Sequence, residues 1–181
     1  MTRWIALFRG INVGGNNILP MAQLRKDLES LRLTNVRSYI QSGNVVFDST
    51  AGTAASLTKK VRDLVEKRHG FRPEVFLLKS ADLAAAMKAN PFPEAEAEPK
   101  TLHFAFLAEK PTGADTDALD KAKAPSESYM ITDRVFYLHA PDGIGRSKLA
   151  AKAEKFLGVV TTGRNFRTVE KLHAMATDDG A

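Results

Sequence analysis

The sequence predicts an α+β protein made of two ferredoxin-like (βαββαβ) halves related by internal duplication, with an extra C-terminal helix. Three observations carry this. Hydrophobic patterning over residues 5–78 runs strand, helix, strand, strand, helix, strand, the split βαβ order. The same order returns over residues 102–161. The two hairpins also align without a gap, Ser38–Phe47 over Ser128–Tyr137: Ser, Tyr and Val coincide, and Phe faces Tyr at the end.

Each element has a local signal. Ile5-Ala6-Leu7-Phe8 is a β-prone apolar run bounded by a Gly-rich loop. Pro20 fits a first helical turn, where its missing N–H costs nothing, and Met21, Leu24, Leu28 and Leu31 make one apolar stripe ending near Arg32. Val36–Gln41 and Val45–Phe47 flank Ser42-Gly43-Asn44, whose Gly and Asn tolerate positive φ. Thr53 caps a helix over 54–68; Lys67, Arg68 and His69 suit its negative end, and Gly70 stops it. Val75–Leu78 is the fourth strand, and Ser80 opens a short helix that ends before Asn90-Pro91.

In the second half, Leu102–Leu107 is a strand, Asp115–Lys123 a helix, and Ser128–His139 a hairpin turning at Asp133-Arg134. Ser147–Leu157 is a helix closed by Gly158, and Val159-Val160-Thr161 is the expected last strand. Asn165 caps a final helix over 166–175 that buries Phe166, Val169 and Leu172. The Glu/Ala alternation at 94–99 reads as an acidic surface linker. The expected division is therefore 1–92, a linker at 93–100, and 101–181.

Composition narrows the function classes. The absence of cysteine excludes a disulfide framework, thiolate chemistry and cysteine-held zinc. No apolar run reaches membrane-span length and no signal-peptide pattern precedes the first strand, so the expectation is a cytoplasmic protein with no membrane partner. The net charge of +5 is uneven: +2 over residues 1–20, +5 over 21–79, −4 over 80–140 and +4 over 141–173. Brought together, the basic parts would attract phosphates or nucleic acid; kept apart, they are solvated helix faces.

Two groups of residues suggest anion chemistry. Arg9-Gly-Ile-Asn-Val-Gly-Gly-Asn-Asn17 offers backbone N–H groups and a full charge ahead of a helix. It matches neither the dinucleotide fingerprint nor a P-loop, and a tight strand-to-helix turn is the preferred explanation of its glycines. Gly145-Arg146-Ser147-Lys148 and Gly163-Arg164-Asn165 each place Gly, a capping side chain and a cation at a helix start. Arg146 and Arg164 have the fork geometry for bidentate phosphate contacts, and Lys148 acts as a point charge. His69, His103, His139 and His173 lack metal-ligand spacing, so no metal is expected. His103 and His139 alternate with large apolar residues and are expected on an exposed sheet face. Ser42 lacks the context of a hydrolase nucleophile, and no catalytic residues are assigned. The aromatics Phe8, Tyr39, Phe47 and Phe76 lack the RNA-recognition signature and are expected mostly in the core.

Arg9–Asn17, Gln41–Phe47, Gly145–Leu149 and Arg164–Leu172, in that order, resemble the bacterial domain-of-unknown-function family 1697. The resemblance implies a two-part α+β protein of ferredoxin-like halves and brings no established activity. Phe166 stands where a Trp is usual, so no role for an indole N–H is carried over. Gly163 stands where Thr or Met is usual.

The leading expectation is a small cytoplasmic binding protein with an anion site at the junction of its halves. Arg9, Asn12, Gly14, Gly15, Asn16, Gln41, Asn44, Arg146, Lys148, Arg164 and Asn165 would contribute to it. The partner would be a phosphate-containing small molecule or nucleic acid, with no cofactor. Two alternatives stand beside it: an enzyme acting on a phosphorylated small molecule by positioning and electrostatics, and an interaction module without a ligand. The oligomeric state is left open.

Overall fold

In a computed structural model, which describes residues 1–178, the first strand β1 (Thr2–Arg9) leads into α1 (Met21–Glu29). The antiparallel pair β2 (Thr34–Tyr39) and β3 (Asn44–Ser49) follows, then α2 (Ala54–His69) and β4 (Glu74–Lys79). The strands form one antiparallel sheet in the order β2-β3-β1-β4, the ferredoxin-like topology. Alternation sends Trp4, Ala6, Phe8, Val45 and Phe47 into a core with Leu24 and Leu28 of α1 and Val61 and Val65 of α2. The residues between them, Ile5, Leu7 and Val46, are also fully buried, so this sheet has no wet face.

Capping defines α2 at both ends. Thr53 and Ser56 form a reciprocal capping box, and Gly70 closes the helix in the left-handed conformation (φ 77°). A buried ionic cluster joins α1 to the end of α2. Asp27, wholly buried, accepts from Gln23 Nε2 (2.9 Å) and from the Arg68 guanidinium, and its other oxygen pairs with His69 Nε2 (2.6 Å). Burial raises the Asp27 pKa, but the bonds from His69, Arg68 and Gln23 outweigh it and the net shift is downward.

After α3 (Ser80–Lys88), the topology repeats with β5 (Leu102–Leu107), α4 (Thr116–Ala122), β6 (Ser128–Ile131), β7 (Val135–His139), α5 (Lys148–Leu157) and β8 (Thr161–Asn165). The sheet order is β6-β7-β5-β8, the same permutation as in the first half. Leu107, Phe136 and Leu138 pack with Leu119 of α4 and Leu149, Ala153 and Leu157 of α5. On the other face Phe104 meets Tyr137 edge-on at 4.7 Å and Phe166 at 5.7 Å. The last helix, α6 (Phe166–Thr177), follows directly; Asn165 Oδ1 accepts from Thr168 N (3.0 Å), as its cap role requires.

The fold class stands as expected, with two corrections of detail. The gap-free hairpin match is out of register, because Phe47 faces helices α1 and α2 whereas Tyr137 faces the opposite side of its sheet and donates to the Ala86 carbonyl (2.7 Å). The last strand lies at 161–165, not 159–161, which puts Arg164 within a strand. The stretch 93–100 includes a 3₁₀ turn, Pro93–Ala97, with Ala95 buried and Glu94, Glu96 and Glu98 exposed.

By its contacts the chain divides into Met1–Ala85, together with residues 171–178, and Ala86–Glu170. The reason for the return is visible in the first unit. Arg3 Nη1 donates to the carbonyls of Ala176 (3.2 Å) and Asp178 (2.8 Å), and Arg37 Nη2 donates to that of Met175. Two guanidiniums thus satisfy the end of α6. Asp48 braces Arg3 through two bonds (2.9 and 3.1 Å) and accepts from Asn35 Nδ2 (2.7 Å). The Arg3 bond is the chief reason the Asp48 pKa lies below its ordinary value. No helix among the described residues is long and apolar enough to cross a membrane.

Candidate functional site

The segment after β1 folds into a short finger. Val13 and Asn16 bridge, Asn16 N donates to the Val13 carbonyl (3.1 Å), and Gly14 and Gly15 between them have φ of 59° and 76°. A two-residue turn with both central residues at positive φ is the glycine-demanding type that fits strand twist. Asn12 N donates to the Asn17 carbonyl (3.2 Å) and Asn17 Nδ2 to the Gly10 carbonyl (3.1 Å), continuing the ladder. The glycines therefore shape a self-closed tip, and α1 begins only at Met21, with Pro20 at the cap position.

Asn12 fastens this finger to the β2–β3 turn. Its Nδ2 donates to the carbonyls of Leu19 (2.9 Å) and Gln41 (2.8 Å), and its Oδ1 accepts from Leu19 N (2.7 Å). Phe8 N donates to the Gly43 carbonyl (2.8 Å). Gly43 has φ of 81°, and a β-carbon there would lie 2.6 Å from Phe8 Cβ, so this crossing admits only glycine. Asn44 is fully buried and donates to the Tyr39 carbonyl (3.2 Å) and Ser42 Oγ (3.0 Å). Asn12 and Asn44 thus spend their amides on the protein itself and act as positioning residues. Arg9, Gly14, Gly15, Asn16 and Gln41 are exposed around them.

Strand direction gathers further groups at this end. Arg9 pairs with Glu74 in the β1–β4 ladder, so the α2–β4 connection lies here, with Lys67 exposed on the last turn of α2. Arg25 Nη1 donates to Ser38 Oγ near the top of β2 (2.6 Å). Nearby carboxylates are occupied: Glu74 by Arg62, and Glu66 and Asp63 by Arg72. At this end the backbone carries strain at Ile40. Ile40 adopts φ of 48°, a left-handed conformation that is unusual for a β-branched side chain and costs on the order of 1–3 kcal/mol. Sequence reading missed Ile40 and the coupling through Asn12.

In the second half, β7 ends at His139 and β5 begins at Leu102, which pair, and His103 pairs with both Leu138 and Asn165. The start of α5 and the start of α6 therefore lie at one end of this sheet. Ser147 caps α5 by accepting from Ala150 N (2.9 Å), and Arg146 and Lys148 are exposed beside it with no ion pair among the described residues. Arg164 is placed differently. It pairs with Phe104 on the aromatic face, and its Nη1 donates to Thr162 Oγ1 (2.9 Å) and the Gly163 carbonyl (2.8 Å). Burial pulls its pKa down to about 10. His103 is a further correction: it is buried, because both faces of its strand are covered. Burial lowers its pKa, opposed by the hydrogen bond its ring makes to the Lys100 backbone, and its Nε2 has no partner among the described residues.

These features define an α+β protein with two ferredoxin-like halves, the first of which carries an elaborated loop end. The chain belongs to the family described as "Protein of unknown function (DUF1697)", whose model matches residues 1–137. It is also similar to a solved structure described as conserved bacterial protein SP0830 from Streptococcus pneumoniae, at 28% identity and a TM-score of 0.73. That alignment covers 97% of this chain and 99% of the other. No curated protein matches the chain.

Proposed function

We propose that this is a small binding protein for an anionic, phosphate-bearing partner, and that its working surface is the loop end of the first half. The observation that carries this reading is the Asn12 bridge. It sets Arg9–Asn17 beside Gln41–Asn44 and leaves Arg9, the Gly14-Gly15 tip, Asn16 and the Gln41 side chain exposed together. Lys67, exposed on the last turn of α2, adds a further positive charge at this end. Exposed cations and main-chain N–H groups on one rigid end suit a nucleotide, a phosphorylated metabolite or a nucleic-acid backbone.

A thermal-shift screen against inorganic phosphate, nucleotides and sugar phosphates tests it. A ligand at a hundredfold its dissociation constant adds about 2.7 kcal/mol of stability. We expect a rise in melting temperature with a phosphate-bearing compound, and its loss in Arg9→Ala. No shift with any compound, or an unchanged shift in Arg9→Ala, contradicts the reading. A second reading rests on the convergence of Arg146, Lys148 and Asn165 at one end of the other sheet. A response lost in R146A/K148A but retained in R9A would favour it. For a nucleic-acid partner, affinity must fall steeply with salt.

A further inference from the structure

We propose that the anionic partner of the first half's loop end is a phospholipid surface. Val13, Ile18 and Ile40 enter the headgroup region, and Arg9, Arg25 and Lys67 meet the lipid phosphates. This inference rests on the reading that this end binds anions. Apart from Met1, these are the first unit's exposed large apolar side chains among the described residues, at 62%, 67% and 52%. Val13 and Ile18 belong to the finger and Ile40 to the β2–β3 turn, and the Asn12 side chain joins the two: Val13 follows it in sequence, and its bonds reach the carbonyls of Leu19 and Gln41, next to Ile18 and Ile40. All three therefore stand at the loop end of the first sheet.

Ile40 is the informative member. At φ of 48° an Asn or Gly would relieve the backbone, and more than half of the isoleucine side chain stands in water. The fold gains from neither property. A residue that is strained in its backbone and exposed in its side chain points to use of that side chain elsewhere. The opposite end of this sheet differs: there Arg3, Asn35, Arg37 and Asp48 are bonded to one another or to α6.

The chemistry favours lipid over a protein partner. Protein hot spots draw on aromatic anchors, and no aromatic is among these exposed side chains. Isolated aliphatics at the tips of turns suit a fluid surface that needs no matching pocket. Cations around them supply the second signal that peripheral attachment requires. Crossing the bilayer is not involved, but attachment to a lipid surface departs from the sequence-based expectation of no membrane partner.

The test is co-sedimentation of the full chain with vesicles of phosphatidylcholine alone and of phosphatidylcholine with phosphatidylserine. The variants are Ile40→Asn and the double change V13S/I18S, and each protein is also scanned for its thermal response to phosphate. We expect wild type to sediment with the anionic vesicles only, less so as salt rises. Ile40→Asn should weaken this by about fivefold or more with a melting temperature equal to or above wild type, and with the phosphate response intact. Sedimentation of both variants like wild type overturns the proposal. So does failure of wild type to bind anionic vesicles. In that case a surviving phosphate response preserves the anion-binding reading, and its absence defeats both.

Discussion

In the first half, the chain from β1 to α1 spends residues 10–20 on a finger bolted by Asn12 to the hairpin turn at 40–43. In the second half, β5 reaches α4 over residues 108–115, with Asp115 capping the helix. There the hairpin closes at Asp133-Arg134 through Thr132 N donating to the Val135 carbonyl (2.9 Å). The same sheet order is thus achieved with and without the finger. Burial on both sheets sets the topology, and the finger, the left-handed Ile40 and the aliphatic tips are additions that the topology does not require. That is the ground for placing function at this end.

The largest expected contrast is at the glycines. Gly43→Val should destabilise by roughly 3 kcal/mol, since it adds a clash with Phe8 and Ile11 to an unfavourable φ. Gly113→Ala, in the second half's connection with no atom near its β-carbon position, should change stability by less than about 0.5 kcal/mol. Urea denaturation checks both. Asn12→Ala comes next, at about 2 kcal/mol, because three hydrogen bonds and an asparagine-tolerant φ of 56° are lost together. Amide exchange of residues 10–20 should accelerate in that variant while the second sheet is unaffected.

Acid should separate the halves. His103 has a lowered folded-state pKa, so the stability it contributes is present above the ordinary value of 6.5 and is lost as pH falls through the folded value. Asp27 and Asp48 are lowered from 3.8, so their contribution survives until pH falls below that value. Amide protection around Leu102–Leu107 should therefore decline on mild acidification before the fluorescence of Trp4, in the first core, changes. His103→Gln should remove the early phase. The smallest effect is expected at Lys110, whose pair with Asp133 is well exposed on both sides. Lys110→Ala should cost no more than about 0.5 kcal/mol by thermal melting.

Most of the fold was legible because its signals are local. Thr53 and Ser56, Gly70, Ser147, Gly158 and Asn165 mark helix ends within a few residues of themselves. The misplaced strand β8 shows where that fails. Thr161-Thr162-Gly163-Arg164-Asn165 has no apolar alternation, and it becomes a strand because β5 offers it a ladder. His103 misled for a related reason: alternation implies an outward face only when one exists, and here both faces are covered. At the candidate site the Arg-Gly-Ile-Asn and Gln-Ser-Gly-Asn segments stood out in the sequence. Their union through one asparagine side chain, and the clamp of Arg3 and Arg37 on the end of α6, join distant residues by contacts that no local pattern encodes.

Backbone NMR during titration with inorganic phosphate shows whether the loop end of the first half is the working surface. Amide shifts should gather at Arg9–Asn17 and 40–44 and stay small at Asp133-Arg134. Shifts gathered at 143–148 and 164–166, or no shifts at saturating phosphate, would contradict that placement.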